Sequence, residues 1–271
     1  MIARLKDLWQ HRELLWNMTV KELKVKYKRS VLGFVWSFMT PLIMLAVFSL
    51  VFALLIHRED MSWFVVYLMS GLLPWLFFVN CLMQSVGSIV GNPGLVKKVY
   101  FPREVLPLGA VGANLFHFCM QMMVLFLFLF AIRWHFWIYL VLFPAVLLLQ
   151  LVFTTGLALF ISAANVYLRD VQHFVEVATM AWFWLCPIIY PISLVIKRLG
   201  KFFPLYMANP MTNIVLLWQY IIYNPYHYAP KAGVAYISFW GILWTSILSI
   251  LLLVFGYYFF SKTERGFAEQ I

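Results

Sequence analysis

An all-α integral membrane protein with six transmembrane helices is the fold class that three observations predict. Hydrophobic residues make up 64% of the 271-residue chain and charged residues only 11%, whereas an average soluble domain is about half apolar and about a quarter charged. Six apolar runs punctuate the chain, each able to cross roughly 30 Å of hydrocarbon at about 1.5 Å per residue. Eight of the 20 Lys and Arg residues precede the first of these runs, within residues 1–33, the pattern of a cytoplasmic, positive-inside leader. A water-soluble fold of this composition has too little polar side chain to cover its surface. The aromatic content of 19%, with 12 Trp and 14 Tyr, suits rings that anchor helices at headgroup level.

Residues 1–33 read as a cytoplasmic, amphipathic interfacial element. At about 100° per residue, Leu5, Leu8, Trp9, Leu15, Trp16, Val20, Leu23 and Tyr27 share an arc of about 140°, with Lys6, Lys21, Lys24 and Lys28 on the other side. The six runs occupy 34–56, 63–90, 105–132, 137–164, 174–192 and 235–260, making 34–260 the transmembrane domain and 261–271 a cytoplasmic tail. With both termini inside, the inner pieces hold 14 of the 20 Lys and Arg residues. The long outer segment 193–234 carries Pro204, Pro210, Pro225 and Pro230 around apolar stretches too short to span. It predicts short re-entrant or interfacial helices on the outer face.

What is missing narrows the chemistry. Three Asp and seven Glu residues occur, none near the middle of a run, which disfavours an ion-coupled secondary transporter or channel. No carboxylate or histidine constellation suggests a membrane enzyme of glycan assembly, and Cys81, Cys119 and Cys186 have no metal or redox spacing. No Gly-x-x-x-x-Gly-Lys-Ser/Thr loop occurs, so no cofactor is expected on this chain, and energy for active transport has to come from another subunit. The positive charge is explained by membrane topology and calls for no nucleic acid.

Candidate sites fall into two groups. Between the second and third runs, Gly and Pro bracket a short basic piece, about 92–102, with Asn92, Leu95, Lys97, Lys98, Val99, Tyr100, Phe101 and Arg103. Such a compact exposed element suits docking on a soluble partner, or else it is a basic connector facing anionic lipid. Arg169 and Asp170, in the turn between the fourth and fifth runs, either join it or meet only water and headgroups. The second group is aromatic and amide: Trp36, Phe38, Trp75, Phe78, Trp182, Phe183 and Trp184, with Asn80 and Gln84. These residues either line a hydrated path on which sugar faces slide, or anchor helices and hydrogen-bond between them.

The stretches 22–33, 36–41, 95–107, 165–170, 187–191 and 208–211, in this order, resemble the ABC-2 type membrane subunits of polysaccharide exporters, the group that serves O-antigen, capsule and wall teichoic acid. The resemblance covers nearly the whole chain. It implies a non-enzymatic permease in the bacterial plasma membrane. That permease would be a homodimer docked on two ATP-binding subunits that carry ATP and Mg. It would move undecaprenyl-diphosphate-linked polymer outward for cell-wall biogenesis. It also implies that the piece at 92–102 is a coupling helix and that 193–234 forms an outer gate.

Overall fold

The computed structural model describes residues 11–26, 30, 32–54, 64–134, 137–223 and 238–271, and these are helices and turns with no strand among them. Within the expected interfacial element over 1–33, α1 is Arg12–Lys26, with residues 1–10, 27–29 and 31 outside the described part. Helix α2 is Trp36–Leu54 and α3 is Phe64–Val86. A short α4, Pro93–Lys98, leads to α5, Val105–Ala131. A 3-10 turn over Trp137–Leu142 opens α6, Phe143–Tyr167, and α7 is Val171–Trp184. Three short helices follow, α8 Ile192–Leu199, α9 Phe203–Met207 and α10 Pro210–Tyr223. Helix α11, Phe239–Thr263, and α12, Phe267–Gln270, complete the order.

Among the described residues four helices are long and apolar enough to cross a bilayer: Phe64–Val86, Val105–Ala131, Tyr139–Tyr167 and Phe239–Gln270. The chain is therefore a multi-pass membrane protein. Large apolar side chains lie bare along its flanks, including Leu127 and Phe130 on α5, Phe174, Val177 and Met180 on α7, and Ile250 and Leu251 on α11. Water does not tolerate apolar surface on this scale; lipid or another chain must cover it.

The fifth expected run departs from expectation. It was read as 174–192, but α7 stops at Trp184 after 14 residues, about 21 Å of rise. The backbone then turns through 185–190. Pro187 has no N–H to offer and disfavours the helical region for Cys186 before it, so the helix ends ahead of this pair.

The outer segment also differs from a peripheral reading. Helix α10 carries one of the longest apolar stretches in 193–234, and it is almost wholly buried against α3, α6 and α11. Trp218 is 0% exposed and packs edge-on against Phe118 and Phe143. Its indole N–H donates to Gln150 Oε1 at 2.6 Å, and Gln150 Nε2 donates to the Pro74 carbonyl at 2.7 Å. Gln219 Nε2 reaches the Pro187 carbonyl at 2.8 Å, and Trp134 Nε1 the Ile222 carbonyl at 3.1 Å. Helix α3, against which α10 rests, is the centre of the bundle, with Tyr67, Met69, Leu73 and Phe78 fully buried.

Helices α6 and α11 share the most extensive helix pair, and its closest approach is glycine on glycine. A Cβ placed on Gly256 would lie 2.2 Å from the Gly156 carbonyl oxygen, so only glycine lets the backbones touch, as in other small-residue helix pairs in membranes. Gly256→Val forces the helices apart and should destabilise the purified protein by about 1–3 kcal/mol. Gly87→Ala, where a Cβ meets nothing within 4 Å, should leave the thermal midpoint in detergent unchanged. Equal midpoints for both variants would contradict this packing.

Candidate functional site

The two connectors that carry the docking candidates meet at one end of the bundle. This end also holds α1, the start of α5 and the finish of α11, and with them Lys21, Lys24, Lys97, Lys98, Arg103, Arg169, Lys262 and Arg265. Arg133, Lys197, Arg198 and Lys201 lie toward the other end.

Helix α4 stands on this basic end. Pro93 begins it, where a missing N–H costs nothing. Asn92, ahead of it, ties it to two neighbours: Nδ2 donates to the Ser88 carbonyl at 2.7 Å, and Oδ1 accepts from Lys21 Nζ at 2.7 Å. Val96 points inward and is buried, Leu95 and Phe101 are half-buried, and Lys97, Lys98, Val99 and Tyr100 face outward. Tyr100 is completely exposed. Arg103 turns back toward the bundle, donating to the Glu264 carbonyl beyond α11. Arg169 and Asp170 are exposed beside Tyr167 and Leu168, which are exposed as well. The structure thus gathers the predicted docking residues at one end, with the lysines and Tyr100 available and Arg103 engaged internally.

Sequence reasoning missed the polar chain behind this face. Lys21 pairs with Glu22 at 3.4 Å. Glu22 Oε2 accepts from Gln84 Nε2 at 2.8 Å, and Gln84 Oε1 accepts from Asn114 Nδ2 at 2.6 Å. Helix α1 is thereby fastened to α3 and α5. One signal was present: Glu22 is a lone acid among Lys21, Lys24, Lys26 and Lys28. The side of α1 that meets α5 carries Met18 and Thr19, while Trp16, on the predicted apolar arc, is exposed.

The aromatic candidates divide. Trp75 and Phe78 are buried inside the protomer. Phe78 meets Trp182 edge-on at 5.4 Å between centroids, and Trp75 meets Phe183 at 5.8 Å. With Phe153 they glue α7 to α3 and α6, so in the single chain Trp75 and Phe78 pack helices and line no open surface. Trp182 and Phe183 are half-buried at the rim of this cluster, and Phe38 is half-buried on α2. Trp36, Asn80 and Trp184 are exposed, and Gln84 is a half-buried member of the polar chain.

Beside Trp182 lies an apolar groove of about 800 Å³ between α7 and the short helices, lined by Ala178, Leu185, Phe202, Leu205 and Tyr206 among others. At its edge Trp182 Nε1 donates to Asn209 Oδ1 at 3.0 Å, which also accepts from the Met211 N–H at 3.1 Å. Tyr190 and Tyr206 share a hydroxyl–hydroxyl hydrogen bond of 3.2 Å. Burial first, and then this bond, push the Tyr206 phenol far above its ordinary range, so it stays neutral.

The sequence that builds this bundle, with a short exposed helix between two spans at its basic end, matches a known family model over residues 13–223, that of the ABC-2 type transporter. The chain belongs to the ABC-2 type transporter family. Its relatives include an O-antigen export system permease protein RfbA of Myxococcus xanthus, 32% identical over 272 residues covering 100% of both chains. A protein of the same name from Klebsiella pneumoniae is 30% identical, over 95% of this chain and 94% of its own. The polysialic acid transport protein KpsM of Escherichia coli is 26% identical over 73% and 76% respectively. The ABC-2 match reaches from α1 to the end of α10, so it includes the basic end and the buried α10 alike.

The polar chain generates a stability prediction. Gln84→Leu removes the link between Glu22 and Asn114, leaving Glu22 to Lys21 and Asn114 to the Ala110 carbonyl, and should destabilise the protein by about 0.5–1.5 kcal/mol. Thermal unfolding in detergent measures it, and an unshifted midpoint would show that the bridge contributes nothing.

Proposed function

We propose that this chain is the membrane-spanning permease of an ABC exporter. It moves lipid-linked polysaccharide out of the cytoplasm across the bacterial plasma membrane, driven by ATP hydrolysis in a separate subunit. The observation that carries this reading is the end-to-end similarity to O-antigen export permeases, which spans every helix described above. That similarity favours an O-antigen type of polymer over wall teichoic acid; the lipid carrier in this proposal is undecaprenyl diphosphate.

In this reading the basic end faces the cytoplasm, in keeping with the positive-inside rule, and both termini lie there. Helices α2 and α7 supply the first and fifth of six passes, with α8–α10 folded into the outer half as the gate. Two copies associate, and each binds one ATPase. Helix α4 is the coupling helix: Lys97, Lys98, Val99 and Tyr100 reach toward the ATPase, with Arg169 and Asp170 at their side. When ATP closes the two ATPases, the push on α4 passes through Asn92 to Lys21 and so to α1, and through the Glu22–Gln84–Asn114 chain to α3 and α5.

The passage forms between the two copies. The exposed Trp36 and Trp184, the rim residues Trp182, Phe183 and Phe38, and the exposed Asn80 offer it ring faces and an amide. Rings stack weakly and repeatedly on apolar sugar faces, which suits a polymer in motion. Trp75 and Phe78 support that wall from behind.

The test is co-purification with the ATPase and export in cells. The wild-type permease should carry an ATPase with it, and disruption of either protein should abolish polymer at the cell surface. Lys97→Glu with Lys98→Glu should lower surface polymer at least about tenfold, since two reversed charges oppose docking by several kcal/mol. Normal export by that double variant would remove α4 from the docking role. Transport by the permease alone in sealed vesicles would support an ion-coupled carrier instead.

A further inference from the structure

The segment after α11 is folded back onto the basic end. Glu264–Gly266 makes one 3-10 turn, and α12 follows it. Phe267 is 0% exposed. Its ring meets Phe260 edge-on at 5.4 Å and Tyr167 at 6.1 Å, and the Arg103 guanidinium carbon lies 5.9 Å from its centroid. It closes an apolar cluster with Ile89, Val96, Leu106 and Val166. Polar contacts grip the backbone on both sides: Arg103 donates to the Glu264 carbonyl, and the Tyr167 hydroxyl donates to the Thr263 carbonyl at 2.8 Å. A Cβ on Gly266 would sit 2.6 Å from the Tyr167 hydroxyl oxygen, so a side chain there would have to displace the end of the Tyr167 ring.

Two separate connectors therefore hold the same short segment. Helix α4 has six residues, of which Val96 alone is buried. A helix this short has no stability of its own, so its position depends on what Val96 packs against. Tyr167, the last residue of α6 and the head of the other connector, meets the same segment through its hydroxyl and its ring.

We propose that Phe267, with the segment from Thr263 to Ile271, is a positioning element that locks α4 and the Tyr167–Asp170 turn into one rigid platform. A load applied to α4 is then delivered to α6 and α11 together and is not absorbed by local bending. The role in transmission rests on the reading of α4 as the coupling helix; the platform itself does not.

Amide hydrogen exchange on the purified full-length permease tests the platform alone. Phe267→Ala should accelerate exchange at residues 96–100 and 167–169 at least about tenfold while α3 stays protected. Tyr167→Phe, which removes one hydrogen bond and keeps the ring, should give a smaller acceleration at 167–169. Unchanged exchange at both connectors in Phe267→Ala overturns the proposal whatever the permease transports.

In the complex with its ATPase, Phe267→Ala should keep assembly and ATP hydrolysis while surface polymer falls at least about tenfold, and Phe267→Leu should recover most of the loss. Full export alongside accelerated exchange overturns the role in transmission. Failure of the unmodified permease to bind any ATPase overturns the exporter reading instead, and the exchange result then judges the platform by itself.

Discussion

Hydrocarbon offers no hydrogen-bond partner, and that constraint shapes the interior of this bundle. The amide and indole nitrogens buried in it find acceptors on other helices. Gln150 joins the Pro74 carbonyl to the Trp218 indole, Asn165 Nδ2 reaches the Val86 carbonyl at 2.9 Å, and Trp134 reaches Ile222. The pairing is incomplete, since Asn165 Oδ1, Gln219 Oε1 and the Thr154 and Thr245 hydroxyls are buried without a partner. Carbonyl oxygens tolerate this better than N–H groups do. The carbonyls that accept from Gln150 and Gln219 belong to Pro74, inside α3, and Pro187, in the turn after α7. The bonds of Trp218 to Gln150, Gln219 to Pro187 and Trp134 to Ile222 hold α10 in the core.

The bundle is divided by depth. Its half away from the basic end is aromatic and tightly interlocked: Trp218 meets Phe118 and Phe143 edge-on, and Tyr223 meets Tyr67 edge-on. Its basic end is held instead by a few directional contacts: Lys21 to Asn92, Glu22 to Gln84, Tyr167 to Thr263. A dense aromatic core resists deformation, whereas sparse hydrogen bonds can exchange partners at modest cost. In the proposed exporter the exposed α4 and its tether to α1 are where movement enters, joined to a half that transmits it with little loss.

Much of this was legible in the chain. The long runs at 63–90, 105–132 and 137–164 appear as α3, α5 and α6 within a few residues, because hydropathy over such lengths admits no other element. The short basic helix between two spans was readable from Pro93 and Pro102 around Lys97 and Lys98. Three features were not. Residues 214–223 have the length of an interfacial helix, and only packing shows that they are core. The stop at Trp184 was hidden because apolar residues continue past it to Ile192, with Pro187 and Pro191 the only warnings. The Glu22–Gln84 bond joins residues 62 apart in sequence, and no periodicity encodes such a pair. The buried Trp75 and Phe78 show the same limit, since a ring's identity does not reveal whether it faces a neighbour or an opening.

The abrupt end of α7 has a consequence for the bilayer itself. A helix of 14 residues rises about 21 Å, against roughly 30 Å of hydrocarbon, and its flank, with Phe174 at 72% and Trp184 at 65% exposure, is open to whatever lies beside the protomer. Lipids bordering so short a wall adapt by thinning. Where lipid borders α7 the dielectric barrier is therefore thinner than that of an unperturbed bilayer, and a hydrated chain sliding there has less oil to cross.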